Sequence, residues 1–132
     1  YLCLYLYVIP PACDHTGCFT SDGNFTSANY PNDYYPNTAD SWLITAPAGQ
    51  KVTINLVDFR LQDNSLCGND YVIMYDGDST SDSKIGEGKY CGTHFPRRRQ
   101  TSSNNLLITF TSSKTDQFRG FSAMFYFGGQ CE

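Results

Sequence analysis

Short apolar runs separated by clusters of Pro, Gly, Asn, Asp and Ser follow one another along the chain from Gly23 onward. This pattern predicts an antiparallel β-protein, because apolar runs of strand length bounded by turn-forming residues are typical of β-sandwiches. Residues 71–75 and 106–110 each border such a cluster, and both predict core strands. No stretch has the apolar period of an amphipathic helix of useful length.

Alternation of apolar and polar residues predicts further strands. Residues 41–46 end at the turn-forming sequence 47–50, and residues 51–59 then place Val52, Ile54 and Leu56 on one face, which predicts a hairpin with one buried face. The last predicted strand, residues 120–127, has on one side Phe121, Ala123, Phe125 and Phe127, and on the other Met124 and Tyr126. Roughly seven to ten strands result, which predicts two packed sheets.

The composition fits this fold and narrows the function. With 132 residues the chain has the size of one domain, and its ten Tyr and nine Phe suit half-buried strands. Only 17% of the residues are charged and the net charge is −4, whereas a nucleic-acid-binding protein needs a broad basic face. We therefore expect one ordered domain without a nucleic-acid partner.

Six cysteines lie at scattered spacings, without a repeated Cys-x-x-Cys and without a histidine at zinc-finger distance. They are Cys3, Cys13, Cys18, Cys67, Cys91 and Cys131. This even number predicts disulfides rather than metal binding, and disulfides predict a secreted, extracellular protein. Asn24-Phe25-Thr26 is an N-glycosylation sequon, and glycosylation at Asn24 fits the same compartment.

Residues 1–12 form an apolar N-terminal segment, and residues 13–132 are predicted to form a single domain. Residues 1–9 carry no charge, but they are too few to span a bilayer as a helix. The segment fits two interpretations, the remnant of a signal peptide or an added β-strand. An added strand needs a partner edge, so a second copy of the chain is one expected partner.

About a dozen short elements occur in the order found in one extracellular family. They are residues 23–31, Tyr35-Pro36, Trp42-Leu43-Ile44, residues 52–59, Cys67, Asp70-Tyr71, Tyr75-Asp76-Gly77, Gly86, Tyr90-Cys91-Gly92, Pro96, Ser103-Asn104, residues 106–110 and Gly120-Phe121-Ser122-Ala123. In these features residues 13–127 resemble the CUB domain. The resemblance implies an all-β fold, a two-sheet antiparallel jelly-roll-like sandwich, stabilised by a disulfide between Cys67 and Cys91.

The chain departs from the family pattern at its first disulfide. Many CUB domains carry a cysteine two residues before the tryptophan, but here that position is Asp40. We therefore expect Cys131 to pair with Cys13 or Cys18, and a short Cys13–Cys18 loop stays open as an alternative.

A second departure concerns calcium. The calcium-binding members of the family use one Glu and two Asp from three loops, and the matching positions here are Gln62, Asp70 and Ser113. Two of the three anionic ligands are missing, and calcium affinity depends on the number of anionic oxygens. Asp63 and Asp116 are alternative ligands if a loop shifts. We expect this degenerate site to hold no calcium, and we expect no other cofactor.

Two surface features are candidates for binding. Arg97, Arg98 and Arg99 form a positive patch, and arginine binds sulfate and carboxylate in bidentate fashion, so a sulfated glycan or an acidic protein is an expected ligand. A solvated loop and a processing site are the alternatives for this patch. The second feature is a Pro-rich loop that contains Tyr30, Tyr34 and Tyr35. The rings of these tyrosines form either a partner-binding surface or a layer over the end of the sandwich.

No catalytic arrangement is recognisable in the sequence. The chain has no Gly-x-Ser-x-Gly elbow, and His15 and His94 belong to no metal-binding pair. We therefore expect a non-catalytic extracellular module that mediates protein–protein contact within a larger assembly or a multidomain secreted protein. The alternatives are a glycan- or heparin-binding protein similar to the spermadhesins and an accessory domain of a secreted protease.

Overall fold

The computed structural model describes residues 12–95 and 97–129, and this part of the chain contains eight β-strands. The strands are β1 (Gly17–Phe19), β2 (Gly23–Thr26), β3 (Ala39–Thr45), β4 (Lys51–Arg60), β5 (Tyr71–Tyr75), β6 (Arg99–Gln100), β7 (Asn105–Thr111) and β8 (Gly120–Gly128). A single 3-10 turn, Ser65–Cys67, lies between β4 and β5. Within the described ranges no helix is long and apolar enough to cross a membrane.

The strands form two four-stranded sheets around one core. The first sheet has the order β1-β3-β7-β5, and the second has the order β2-β8-β4-β6. Neighbouring strands are antiparallel, except that β1 runs parallel to β3. The predicted all-β, two-sheet sandwich is therefore confirmed.

The predicted hairpin between residues 41–46 and 51–59 is wrong. β3 pairs with β7 and β4 pairs with β8, so these two strands lie in different sheets. β3 alternates buried and more exposed residues, and β4 does so after the buried run 52–54. The two strands bury their apolar faces against the same core from opposite sides. The turn-forming sequence 47–50 therefore connects the two sheets at one end of the sandwich.

Aromatic rings fill the space between the sheets. The ring centroids of Trp42 in β3 and Phe25 in β2 lie 4.8 Å apart, and Phe121 in β8 meets Trp42 edge-on at 5.5 Å. Phe121 also contacts Phe110 of β7 at 5.5 Å. Aromatic pairs of this geometry stabilise a fold by about 0.5–1.5 kcal/mol each beyond the area that they bury. These rings therefore join the two sheets directly.

The last strand has the two sides that its pattern predicts. The inner side of β8 carries three fully buried residues, Phe121, Ala123 and Phe125, whereas Met124 and Tyr126 are exposed on the outer face of the second sheet. This outer face is one of the surfaces available for contact.

Polar contacts attach the start of the described chain to β3, where the family pattern has a cysteine. Thr16 Oγ1 donates a hydrogen bond to the Asp40 carboxylate at 3.2 Å, and the Thr16 backbone N–H donates to the Ser41 carbonyl at 2.8 Å. His15 Nδ1 lies 2.7 Å from Ser41 Oγ. Hydrogen bonds thus connect β1 to β3 at a position where Asp40 rules out a disulfide.

Cys13 is bonded to Cys18, with an S–S distance of 2.03 Å and a Cα–Cα distance of 5.9 Å. The expected pairing of Cys131 with Cys13 or Cys18 is therefore wrong, because these two candidate partners are bonded to each other. Only four residues, 14–17, separate the two cysteines, and their Cα atoms lie within disulfide range. Cys131 lies outside the described residues, and so do Cys3 and the other residues up to position 11.

Candidate functional site

Three loops meet at one end of the sandwich around a buried carboxylate, that of Asp70. The Tyr34 hydroxyl donates to Asp70 Oδ2 at 2.6 Å, and the Ser113 backbone N–H donates to Oδ1 at 2.6 Å. The same hydroxyl accepts a hydrogen bond from the Gln62 backbone N–H at 3.1 Å. Burial and the hydrogen bond to Asp70 raise the pKa of Tyr34, so its hydroxyl stays protonated. The loops that follow β2, β4 and β7 are thereby connected, and we call this region the loop end.

Leu66 lies in the loop after β4 with 91% of its surface exposed, more than any other large apolar residue in the described ranges. Its φ of 60° and ψ of 15° lie in the left-handed region, which leucine rarely adopts. Neighbouring contacts hold this conformation: Asn64 Oδ1 accepts from the Gly68 N–H at 3.0 Å, and Cys67 is bonded to Cys91. A left-handed backbone conformation that neighbouring contacts hold in place makes Leu66 a candidate for a contact site.

The three tyrosines proposed as a partner-binding loop have different roles. Tyr34 is only 2% exposed and its ring packs against Phe110, so its assignment to a contact surface is wrong. Its hydroxyl satisfies a buried carboxylate, which explains why the ring points inward. Tyr30 donates its hydroxyl to Asp58 Oδ2 at 2.6 Å. Of the three, Tyr35 is the one that is presented to solvent, with 55% of its surface exposed.

Arg97, Arg98 and Arg99 are exposed at the edge of the second sheet, where Arg99 begins β6. None of their guanidinium groups forms an ion pair with any residue in the part of the chain that the structure describes. Two of them border a groove of about 340 Å³ that is lined by Thr53, Arg98, Arg99, Gln100, Tyr126, Gly128 and Gly129. The groove therefore combines unpaired positive charge with a partly exposed tyrosine ring.

The sequon lies in β2, an edge strand of the second sheet. Asn24 and Thr26 are exposed, while Phe25 between them is buried in the core. The strand thus directs the Asn24 side chain to the outer face of the second sheet.

The family model for the CUB domain matches residues 13–125. The chain belongs to the CUB domain family. This match confirms the resemblance that the sequence elements indicated. CUB domains are non-catalytic modules of extracellular proteins.

Relatives of this CUB domain are much longer proteins. Cubilin from Rattus norvegicus is 41% identical over 111 residues, and embryonic protein UVS.2 from Xenopus laevis is 40% identical over 112 residues. Each alignment covers 83% of this chain, which spans 3% of cubilin and 21% of UVS.2. Among solved structures, the MASP-1 CUB2 domain bound to Ca²⁺ has a TM-score of 0.74 and 28% identity, with 85% of this chain and 98% of that chain covered.

The loop end of this CUB domain does not fit the calcium site of the calcium-binding members. Both Asp70 oxygens already accept hydrogen bonds. Gln62 Nε2 donates a hydrogen bond to Asp116 Oδ2 at 3.1 Å. Gln62 Oε1 is buried and, within residues 12–95 and 97–129, has no hydrogen-bond partner. The same residues contain no group of three or more His, Cys, Asp or Glu placed to hold a metal ion. Calcium takes about six to eight oxygen ligands, several of them anionic, whereas the side chains of Gln62 and Ser113 are neutral. Hydrogen bonds connect these loops.

Proposed function

We propose that this CUB domain is a non-catalytic binding module of a longer secreted protein and that it contacts another extracellular protein through its loop end. The observation that carries the proposal is the 91% exposure of Leu66. A leucine in water stabilises nothing, but its burial in an apolar pocket of a partner contributes about 1.5–3 kcal/mol to binding. A partner with an apolar pocket is a protein rather than a nucleic acid or a polar glycan.

The restraints on the loop end support the same proposal. Binding is weakened when loops must be ordered at the moment of contact, and restrained loops avoid that cost. The Cys67–Cys91 disulfide and the hydrogen bonds to Asp70 restrain the loops on either side of Leu66. Tyr35 adds an exposed ring with a polar tip, a side chain that is frequent in protein interfaces.

The small share of each relative that this chain spans supports a place within a longer protein. An extracellular location is supported by the disulfides, which persist in oxidising compartments.

The proposal is tested by immobilising the domain and capturing proteins from the extracellular fluid of its source. Wild type is compared with Leu66→Asp and with the control Val57→Asp, which places the same charge on a residue that is 62% exposed in β4. We expect a protein that wild type and the control retain and that Leu66→Asp loses by about tenfold or more, a change of about 1.4 kcal/mol. Equal retention by all three forms, or equal loss from both variants, would contradict the proposal.

A second candidate function, binding of a sulfated glycan, is favoured by the groove at the edge of the second sheet. Arg97, Arg98 and Arg99 have no acidic partner in the described residues, and arginine pairs bidentately with sulfate. Tyr126 offers an exposed ring at the groove against which a sugar face can pack.

Retention on immobilised heparin tests this second function. Replacing the three arginines with Gln is expected to lower the salt concentration at which the domain elutes. The matched control replaces three exposed lysines, Lys84, Lys89 and Lys114, with Gln and therefore changes the net charge equally. An equal shift in both variants would indicate a nonspecific charge effect and reject the groove as a glycan site.

A further inference from the structure

The outer face of the second sheet presents apolar side chains to solvent. Val57 of β4 and Met124 and Tyr126 of β8 are three of the five large apolar residues that are exposed in the described ranges, with Met124 at 47%. Met124 and Tyr126 are two positions apart in β8 and therefore lie side by side on this face, and exposed apolar side chains that lie together favour association unless they are covered.

The sequon lies beside this face in a defined register. Asn24 of β2 is directly opposite Met124 of β8, and in an antiparallel pair such residues point to the same face with their Cβ atoms about 4.5–5.5 Å apart. Asn24 is exposed, and its side-chain amide makes no hydrogen bond to any residue in the described part of the chain. Its nitrogen is therefore available for modification next to an exposed methionine.

We propose that Asn24 carries an N-linked glycan whose first sugar lies over Met124. The Asn24 Nδ2 atom forms a bond to the anomeric carbon of an oligosaccharide supplied as a lipid-linked oligosaccharide diphosphate. The bond between that carbon and the diphosphate oxygen breaks, the lipid diphosphate leaves, and the amide proton is lost to a base of the transferring enzyme. No oxidation or reduction occurs.

This glycan has two consequences for the domain. The C–H face of its first sugar removes the Met124 side chain from water, as a cross-strand neighbour does within a sheet. It also blocks the free edge of β2, which otherwise offers unpaired backbone groups to a second chain. Contacts with a protein partner are then directed away from this part of the outer face.

Intact mass of the protein secreted from glycosylating eukaryotic cells tests the modification. Wild type and Thr26→Ser both retain the sequon, and both are expected to be heavier than their sequences by the mass of one glycan. Thr26→Ala removes the sequon, and its mass is expected to equal that of its sequence. A wild-type protein without added glycan mass would overturn the proposal.

The position of the glycan is tested by thermal unfolding before and after treatment with peptide N-glycosidase. We expect deglycosylation to lower the midpoint of wild type by about 3 °C and to leave that of Met124→Ser within about 1 °C. Because the enzyme converts Asn24 to aspartate, Asn24→Asp is the control and must match the deglycosylated wild type. An equal shift in wild type and Met124→Ser would show that the sugar does not lie over Met124.

Discussion

Tyr34 and Tyr35 are neighbours in the chain, but one ring is buried and the other is exposed. The Tyr34 hydroxyl donates to Asp70, a carboxylate with no exposed surface, at 2.6 Å. We expect Tyr34→Phe to lower the free energy of unfolding by about 2 kcal/mol, because the buried carboxylate loses a donor that water cannot replace. Tyr35→Phe is the matched control and should change stability by no more than about 0.5 kcal/mol. Urea unfolding measures both variants, and a loss for Tyr34→Phe no larger than that of the control would contradict this role.

Asp58 and Arg119 form a partly exposed salt bridge. Arg119 donates from Nε at 2.8 Å and from a terminal nitrogen at 2.7 Å to the two Asp58 oxygens. The hydrogen bond from Arg119, aided by the Tyr30 hydroxyl, lowers the pKa of Asp58 from 3.8 to about 2. A carboxyl group whose pKa is lower in the folded state stabilises the fold above its unfolded pKa. This stabilisation is lost as the pH falls from about 4 towards 2.

We therefore expect Asp58→Asn to be less stable than wild type at pH 6 and nearly as stable as wild type at pH 2. The pair is partly exposed, so the difference at pH 6 should not exceed about 1 kcal/mol. Unfolding free energies of the two proteins between pH 6 and pH 2 give the result, and a constant difference would rule out ionised Asp58 as its source.

Among the elements, the apolar pattern predicts the positions of the long strands well, but it predicts poorly which strands pair with each other. β5, β7 and β8 lie at the predicted strands. β8 has a buried residue at nearly every second position because one of its faces is buried, whereas β5 and β7 are short apolar runs with consecutive buried residues. β3 and β4 are also strands, but their predicted pairing is wrong because a turn such as 47–50 suits both a hairpin and a connection between sheets. β1 has only three residues, too few for a periodic signal, and polar contacts of His15 and Thr16 with β3 accompany its parallel pairing with that strand.

The loops at the loop end give a prediction about calcium. Hydrogen bonds connect them here, so we expect the thermal midpoint of the wild-type domain to be the same in calcium and in a chelator. Gln62→Glu combined with Ser113→Asp restores three anionic ligands with Asp70, and calcium is expected to raise the midpoint of this variant. Differential scanning calorimetry measures both proteins. A calcium-dependent midpoint in the wild type would show that these loops bind the ion without the missing carboxylates.

At the scale of the whole molecule, the sequence located the family, the fold and several surface features, but it did not locate Leu66. The signal for Leu66 is a single apolar residue between the polar stretches 62–65 and 68–70, which fits a buried loop residue equally well. Exposure is decided by the packing of distant segments, which also explains why Tyr34, in a loop that suggested contact, is buried. The disulfide at Cys67 and the hydrogen bond at Asn64 restrain the Leu66 loop.

The proposed function depends on contact between the loop end and a protein partner. Hydrogen–deuterium exchange of the domain, alone and with the captured protein, tests this contact because the exchange of backbone amides is measured separately for each segment of the chain. We expect slower exchange in residues 61–70 and 112–119 when the partner is bound, with no change in residues 121–127 of β8. Slower exchange confined to β8, or unchanged exchange at the loop end, would show that the loop end is not the contact surface.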